Sequence, residues 1–168
     1  MPMPRLPRHV LPDGVYHVTA RGAGRAAIFH DDLDRFAFMQ RLRMTVAKFG
    51  WNCHAYCLMT NHYHLVVETK IADLSAGMHR LNGIHAQQFN ARQERTGHVF
   101  EGRFSSRLVD GEGHLEDACE YVLENPVRAG ICTRAEDWPW SGGRSTFNEG
   151  KPLAGPTRRG ARRPRRGR

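Results

Sequence analysis

Two histidines one residue apart, in His62-Tyr63-His64, are the side chains of this chain most suited to chemistry. They precede the apolar run Leu65-Val66-Val67, which is typical of a β-strand. Because side chains alternate between the two faces of a strand, His62 and His64 point to one face and Tyr63 to the other. Two imidazoles placed in this way on a rigid strand could hold one divalent metal ion. The pattern therefore predicts a metal site with His62 and His64 as ligands.

A helix predicted over residues 115–125 carries a second set of reactive side chains. Asp117, Tyr121 and Asn125 follow one another at four-residue intervals and so share one face of that helix. Asparagine offers a carbonyl oxygen, which is a hard metal ligand. A neutral phenol is a weak nucleophile, so Tyr121 would need a strongly polarised target, such as a metal-bound phosphodiester. Together these residues predict attack of Tyr121 on a phosphate and a covalent phosphotyrosine, although the spacing alone does not place the helix against the histidine strand.

The remaining elements follow from hydrophobic periodicity and from turn residues. Apolar residues recur every three or four positions between residues 32 and 49, and Gly50 follows, which predicts a helix. A second helix is predicted over 73–93, and strands over 15–20, over 52–58, in the histidine segment, and in a short stretch ending near residue 109. This order predicts an α+β fold, with one antiparallel sheet and helices packed on a face of it.

The positive charge of the chain is concentrated near its end. The chain has 168 residues, 40% of them hydrophobic, and a formal net charge of +8. We predict one domain over residues 1–150, since this length can bury one real core. Seven of the eight net charges lie in residues 155–168, which contain seven arginines and no acidic residue. We therefore predict a disordered arginine-rich tail over 151–168, of a kind that either contacts nucleic acid or aids solubility.

Four cysteines do not form the pattern of a disulfide framework in a chain of this size. Cys53 and Cys57, with His54 between them, raise the alternative of a zinc site, but their separation along a strand is long for one ion. We prefer buried free thiols. The sequence shows neither an apolar leader nor a run long enough to span a membrane, so we expect a cytoplasmic protein without a membrane partner.

Five segments, met in the same order, resemble the REP-associated tyrosine transposases, which belong to the single-tyrosine transposases of the HUH superfamily of single-strand DNA endonucleases. Between them they span nearly all of residues 5–148. The segments are GVYHVTARG (14–22), AYCLMTNHYHL (55–65), GHVFEGRF (97–104), YVLENPVRAG (121–130) and WPWS (138–141).

This resemblance implies the ferredoxin-like fold of the HUH endonucleases. It implies that His62, His64 and Asn125 bind Mg²⁺ or Mn²⁺ and that Tyr121 is the nucleophile. The implied substrate is single-stranded DNA that bears a hairpin, of the REP type or from the ends of an element. The implied reaction cleaves and rejoins that DNA through a 5′-phosphotyrosine. Both a monomer and a homodimer stay open.

The chain departs from the family pattern at two places, of which the first is mild and the second supports an alternative. Tyr63 stands where relatives carry an aliphatic residue, and His85 and Gln88 stand where they often carry aromatic ones. Such changes would fit a domesticated or inactive DNA-binding protein of the same fold, without turnover. A third interpretation, a small hydrolase that uses the His-x-His site on a different substrate, leaves Tyr121 and the arginine tail without roles.

Several arginines are predicted to contact DNA. For Arg103 and Arg107 the alternative is an ion pair with Asp110 or Glu112. The predicted DNA contacts are Arg21, Arg103, Arg107 and Arg128, together with Arg158, Arg159, Arg162 and Arg163 of the tail.

Overall fold

The computed structural model describes residues 10–111 and 113–147. The first seven strands and α-helices follow the order predicted from the sequence, a further short α-helix and a short strand come after them, and the fold is α+β. The strands are β1 (Gly14–Arg21), β2 (Asn52–Leu58), β3 (His62–Thr69), β4 (Ser105–Val109) and β5 (Ser141–Gly143), and the α-helices are α1 (Asp32–Phe49), α2 (Ile71–Arg92), α3 (His114–Leu123) and α4 (Asn125–Arg128).

The strand that carries both histidines lies in the middle of the sheet. The five described strands have the order β4-β1-β3-β2-β5, and every neighbouring pair is antiparallel. β2 and β3 form the predicted hairpin. On the other side, β1 pairs with β3 so that Thr19 lies opposite His64 and Arg21 opposite His62. The backbone at the two histidines is therefore held by hydrogen bonds from both sides.

Helices cover both faces of this sheet, whereas the sequence pattern had indicated packing on a face. The main core contains residues of α1 and α2 packed on Tyr16, Leu65 and Val67. A smaller core beneath α3 contains Val66 and Val122. The reason is that β2 and β3 carry apolar side chains on both faces, and each such face must be covered.

The ends of the helices follow local chemistry. At the start of α1 the side chain of Asp31 accepts a hydrogen bond from the backbone N–H of Asp34 (3.1 Å), and at its end Gly50 adopts the left-handed conformation with φ of 62°. The helix α3 ends at Leu123, two residues before the predicted end. Asn125 instead begins α4, whose first turn contains Pro126, a position where a proline ring is tolerated.

The cysteines are free thiols, as predicted. Cys53 and Cys57 are buried, and burial raises the pKa of both thiols, that of Cys57 to about 12. A thiol held in this way resists the loss of its proton that zinc binding requires. Within the described ranges, none of the helices is both long and apolar enough to span a bilayer. The arginine-rich tail lies outside the described residues, as do Arg158, Arg159, Arg162 and Arg163.

Candidate active site

His62 and His64 lie on one face of β3, as the alternation of side chains predicts, with their ring centroids 5.1 Å apart. The Nδ1 atom of His62 lies 2.7 Å from the amide oxygen of Asn61. That oxygen only accepts hydrogen bonds, so Nδ1 of His62 carries the proton and donates it. The amide nitrogen of Asn61 donates in turn to the backbone carbonyl of Arg25 (3.2 Å), which orients the amide. Nε2 is thus the atom of His62 that is available to a ligand.

A third histidine, which the sequence analysis did not select, contacts His64. Nε2 of His17 on β1 lies 2.9 Å from Nδ1 of His64, and the two rings stack at 5.1 Å. The hydroxyl of Thr19 lies 3.2 Å from the same Nδ1 atom. The sequence feature that could have identified His17 is the alternation of side chains along β1. This alternation places His17, Thr19 and Arg21 on one face and the buried Tyr16 and Val18 on the other.

The side chain of Tyr121, on α3, packs against His17 and His64. Its ring centroid lies 6.1 Å from that of His64 and 5.7 Å from that of His17, both edge to face. The apolar face of α3, formed by Leu115, Ala118, Cys119 and Val122, packs on the smaller core and fixes this position. The sequence spacing alone could not establish this contact between helix and strand.

The side chain of Asn125 contacts the end of α3. Its amide nitrogen donates to the backbone carbonyls of Tyr121 (3.1 Å) and Val122 (3.3 Å). This leaves the side-chain oxygen Oδ1 as the atom that could bind a cation. Among the described residues, no three histidine, cysteine, aspartate or glutamate side chains form a group that could hold a metal ion. Asn125, the third ligand predicted from the sequence, is a neutral oxygen donor and does not belong to those residue types.

The histidines of this face are held neutral. Burial, together with the positive charges that His17, His62, Arg128 and Arg21 carry or can carry, lowers the pKa of His64 to about 3. Burial and Arg21 lower the pKa of His62, and burial and Arg107 lower that of His17. A neutral imidazole keeps a lone pair for a metal. The donor chemistry of His62 and His64 therefore fits a divalent cation.

A cleft of about 1240 Å³ opens over His64 and Tyr121, whereas His62, Asn125 and Arg128 are not among the residues that line it. His17, His64 and Tyr121 line it together with Arg21, Arg103 and Arg107, three of the arginines predicted to contact DNA. Between described residues, no ion pair joins Arg103 or Arg107 to Asp110. Glu112, the other acidic residue considered for them, lies outside the described residues. Three arginine residues therefore line the same cleft as His64 and Tyr121.

Comparison with known proteins places the chain among transposases. The model of a family described as IS200-like transposases matches residues 11–125, more than half of the chain. A protein of Haemophilus influenzae, named a REP-associated tyrosine transposase, is 24% identical over 115 residues, which cover 62% of this chain and 65% of that protein. The chain thus spans less than two thirds of that relative.

The fold is also found in a solved structure. A REP-associated tyrosine transposase bound to a REP hairpin superposes with a TM-score of 0.64 and 17% sequence identity, over 83% of this chain and 82% of that one. At this level of identity the match concerns the fold, and it confirms the α+β arrangement predicted from the sequence.

Proposed function

Because the chain belongs to the IS200-like transposase family, we propose that it is a metal-dependent transposase that cleaves and rejoins hairpin-bearing single-stranded DNA. The hairpin is suggested by the REP hairpin bound to the solved relative. The proposed nucleophile is Tyr121, and the proposed metal ligands are His62, His64 and Asn125. A cytoplasmic location and a homodimer stay predictions.

One observation carries the proposal: Tyr121 is exposed at the histidines while the other tyrosines are not. The chain has four tyrosines, all within the described residues. Tyr121 is 49% exposed and lines the arginine cleft, whereas Tyr16, Tyr56 and Tyr63 are at most 5% exposed. A phenol that attacks DNA must reach solvent, so Tyr121 alone meets this requirement.

The proposed reaction is a transfer of one phosphoryl linkage. The phenolic oxygen of Tyr121 attacks the phosphorus, the bond from phosphorus to the 3′-oxygen breaks, and the phenolic proton is balanced by the proton that the leaving 3′-hydroxyl gains. The DNA on the 5′-phosphate side stays attached as a phosphotyrosine. Attack by a 3′-hydroxyl reverses the step, joins the strands and restores Tyr121, so no outside energy source is needed.

The side chains around Tyr121 would supply binding and orientation. A divalent cation held by His62, His64 and Asn125 would polarise the scissile phosphate and stabilise the charge that develops on it. Arg21, Arg103 and Arg107 would hold the flanking phosphates in the cleft.

The test is the capture of a covalent protein–DNA adduct. Hairpin-bearing single-stranded DNA is incubated with the protein and Mg²⁺ or Mn²⁺, and the products are separated on a denaturing gel. A label at the 3′ end of the DNA should migrate with the protein, and a label at the 5′ end should stay on a free fragment. Tyr121→Phe should form no adduct while binding DNA like the wild type.

Tyr56→Phe serves as the matched control, because Tyr56 is buried away from the cleft. It should form adduct like the wild type. Adduct from Tyr121→Phe at the normal yield would move the nucleophile elsewhere. Binding without adduct in the wild type would favour the DNA-binding alternative, and the absence of both would favour a hydrolase with another substrate.

The surroundings of His85 bear on the inactive alternative. His85 is 1% exposed, and both of its ring nitrogens have partners: Nε2 donates to the carbonyl of Ile28 (2.8 Å), and Nδ1 lies 3.3 Å from Nη1 of Arg41. This buried and hydrogen-bonded position supports an active protein over the inactive alternative.

A further inference from the structure

The contact between His17 and His64 joins two neighbouring strands diagonally. In the register of β1 and β3, His17 lies opposite Val66 and Thr19 lies opposite His64. The ring of His17 nevertheless reaches Nδ1 of His64 at 2.9 Å, with an angle of 28° between the ring planes. Both rings line the cleft.

One of these two nitrogens must carry the proton of the hydrogen bond between them. Which nitrogen carries it decides what His64 can bind. If Nδ1 of His64 donates to Nε2 of His17, then Nε2 of a neutral His64 has a free lone pair. If His17 donates instead, the proton of His64 moves to Nε2, and that atom cannot bind a cation.

The Nδ1 atom of His62 also has a side-chain neighbour, which is the amide of Asn61 rather than an imidazole. Nδ1 of His62 faces the oxygen of Asn61, which is held in place by the carbonyl of Arg25. Each histidine of the pair thus has its Nδ1 atom occupied by neighbours; at His64 the Thr19 hydroxyl lies 3.2 Å from Nδ1, farther than Nε2 of His17 at 2.9 Å. Histidines that bind metals commonly donate their second ring N–H to such a neighbour, which sets the ring orientation and the tautomer.

We propose that His17 is a positioning residue for His64: its Nε2 accepts the Nδ1 proton of His64 and so keeps Nε2 of His64 free to bind a divalent cation. This inference rests on the proposed metal role of His64. It assigns no contact with the cation to His17 itself.

The first test reads the tautomer without metal or DNA. Long-range ¹H–¹⁵N correlation spectra of the metal-free protein should show His64 protonated on Nδ1. In His17→Phe, which keeps a ring but has no acceptor, His64 should shift toward the Nε2–H form. In His17→Gln, whose amide oxygen can accept, the Nδ1–H form should persist.

The second test measures Mn²⁺ affinity by calorimetry on the DNA-free protein. His17→Phe should bind Mn²⁺ about 10- to 100-fold more weakly, the range found when such supporting partners are lost. His17→Gln should recover most of the affinity. His54→Gln, which changes a histidine of β2 outside the cleft, should bind like the wild type.

Several outcomes would overturn the inference. For Mn²⁺ affinity, these outcomes are a wild-type value in His17→Phe, an equal loss in His17→Phe and His17→Gln, or a loss in His17→Phe as complete as in His64→Ala. For the tautomer, the outcome is a wild-type His64 that carries its proton on Nε2. Failure of the proposed function gives a different pattern, because the wild type would then form no DNA adduct while Mn²⁺ affinity and the His64 tautomer still depended on His17.

Discussion

The guanidinium of Arg128 lies over the ring of Tyr121, with 4.0 Å between Cζ and the ring centroid. Nη2 of the same guanidinium donates to the backbone carbonyl of Tyr121. The ring is therefore contacted by a cation as well as by the edges or faces of His17 and His64. Arg128, which the sequence predicts as a DNA contact, is also placed to hold the proposed nucleophile.

We predict that Arg128→Ala slows adduct formation at saturating DNA by about two- to fivefold, the rate equivalent of a cation–π contact at an exposed site. The measurement is a single-turnover time course together with the DNA dissociation constant. Arg128→Lys keeps the charge but lacks the planar group, so it should recover affinity better than rate. A change confined to affinity, fully recovered by lysine, would make Arg128 a phosphate contact alone.

The proposed metal ligands can be separated from structural roles by matched substitutions. We predict that His62→Ala and His64→Ala each lose metal-dependent adduct formation, since too few ligands remain for a weakly held cation. Asn125→Ala should raise the Mg²⁺ concentration needed for half-maximal activity, less severely, because water can replace a neutral oxygen. Asn125→Asp should need no more Mg²⁺ than the wild type, since a carboxylate oxygen is also a ligand.

The comparison between the two Asn125 variants is informative because neither can donate to the carbonyls of Tyr121 and Val122. Both therefore lose these hydrogen bonds at the end of α3, and the aspartate in addition brings a carboxylate near the two carbonyl oxygens. Equal Mg²⁺ requirements in the two would reduce Asn125 to a helix-end residue. Adduct formation that persists in excess EDTA would reject the metal for the whole site.

Much of the fold was predictable because its signals are local. The bounds of α1 and β2 were predicted as found, since α1 has periodic apolar residues and a glycine after its end, and β2 has β-prone residues before a short turn. β5 was missed, because Ser141, Gly142 and Gly143 have no strand preference of their own and form a strand only by pairing with β2.

The site was predictable only in part, because its geometry depends on long-range pairing. His62 and His64 were found from their alternation along one strand. His17 was missed, since its importance arises when β1 pairs with β3, 47 residues away along the chain. The contact of Tyr121 with the histidines depends likewise on the packing of α3 on the sheet face opposite to α1 and α2.

We predict a pH dependence of stability that originates in His85. Burial, with the Arg41 guanidinium nearby, lowers the pKa of His85 to about 4, whereas a histidine in an unfolded chain has a pKa of about 6.5. Between these values the unfolded state binds the proton and the folded state does not. The free energy of unfolding should therefore fall as the pH falls from 6.5 to 4, by about 3 kcal/mol from this residue, and be unaffected by it above 6.5.

The measurement is denaturant unfolding at several pH values in the wild type and in His85→Phe. The phenylalanine fits a site already lined by aromatic rings and removes the titration. Its free energy of unfolding should fall less steeply with acid, whatever its value at pH 7. Parallel curves would show that His85 does not titrate differently on folding. The aromatic neighbours are Phe29, Phe38, Phe89 and Phe100.

The last prediction concerns the arginine-rich tail. Deleting residues 155–168 should weaken DNA binding without changing which DNA is preferred. Each arginine that neutralises a phosphate releases a counterion, and on single strands each contact adds about 0.7 to the slope of log affinity against log salt. The segment has no aromatic residue to stack on bases, so its contribution should be blind to sequence.

A salt titration of full-length and truncated protein, on a hairpin and on a scrambled single strand, measures both quantities. The truncated protein should have a shallower slope on each DNA and an unchanged ratio of the two affinities, because target choice then resides in the folded part with Arg21, Arg103 and Arg107. The matched control is Arg103→Gln in the full-length chain. This variant loses one arginine of the cleft and keeps the whole tail. If truncation collapses the ratio, the tail reads the target, and the folded part does not select DNA by itself.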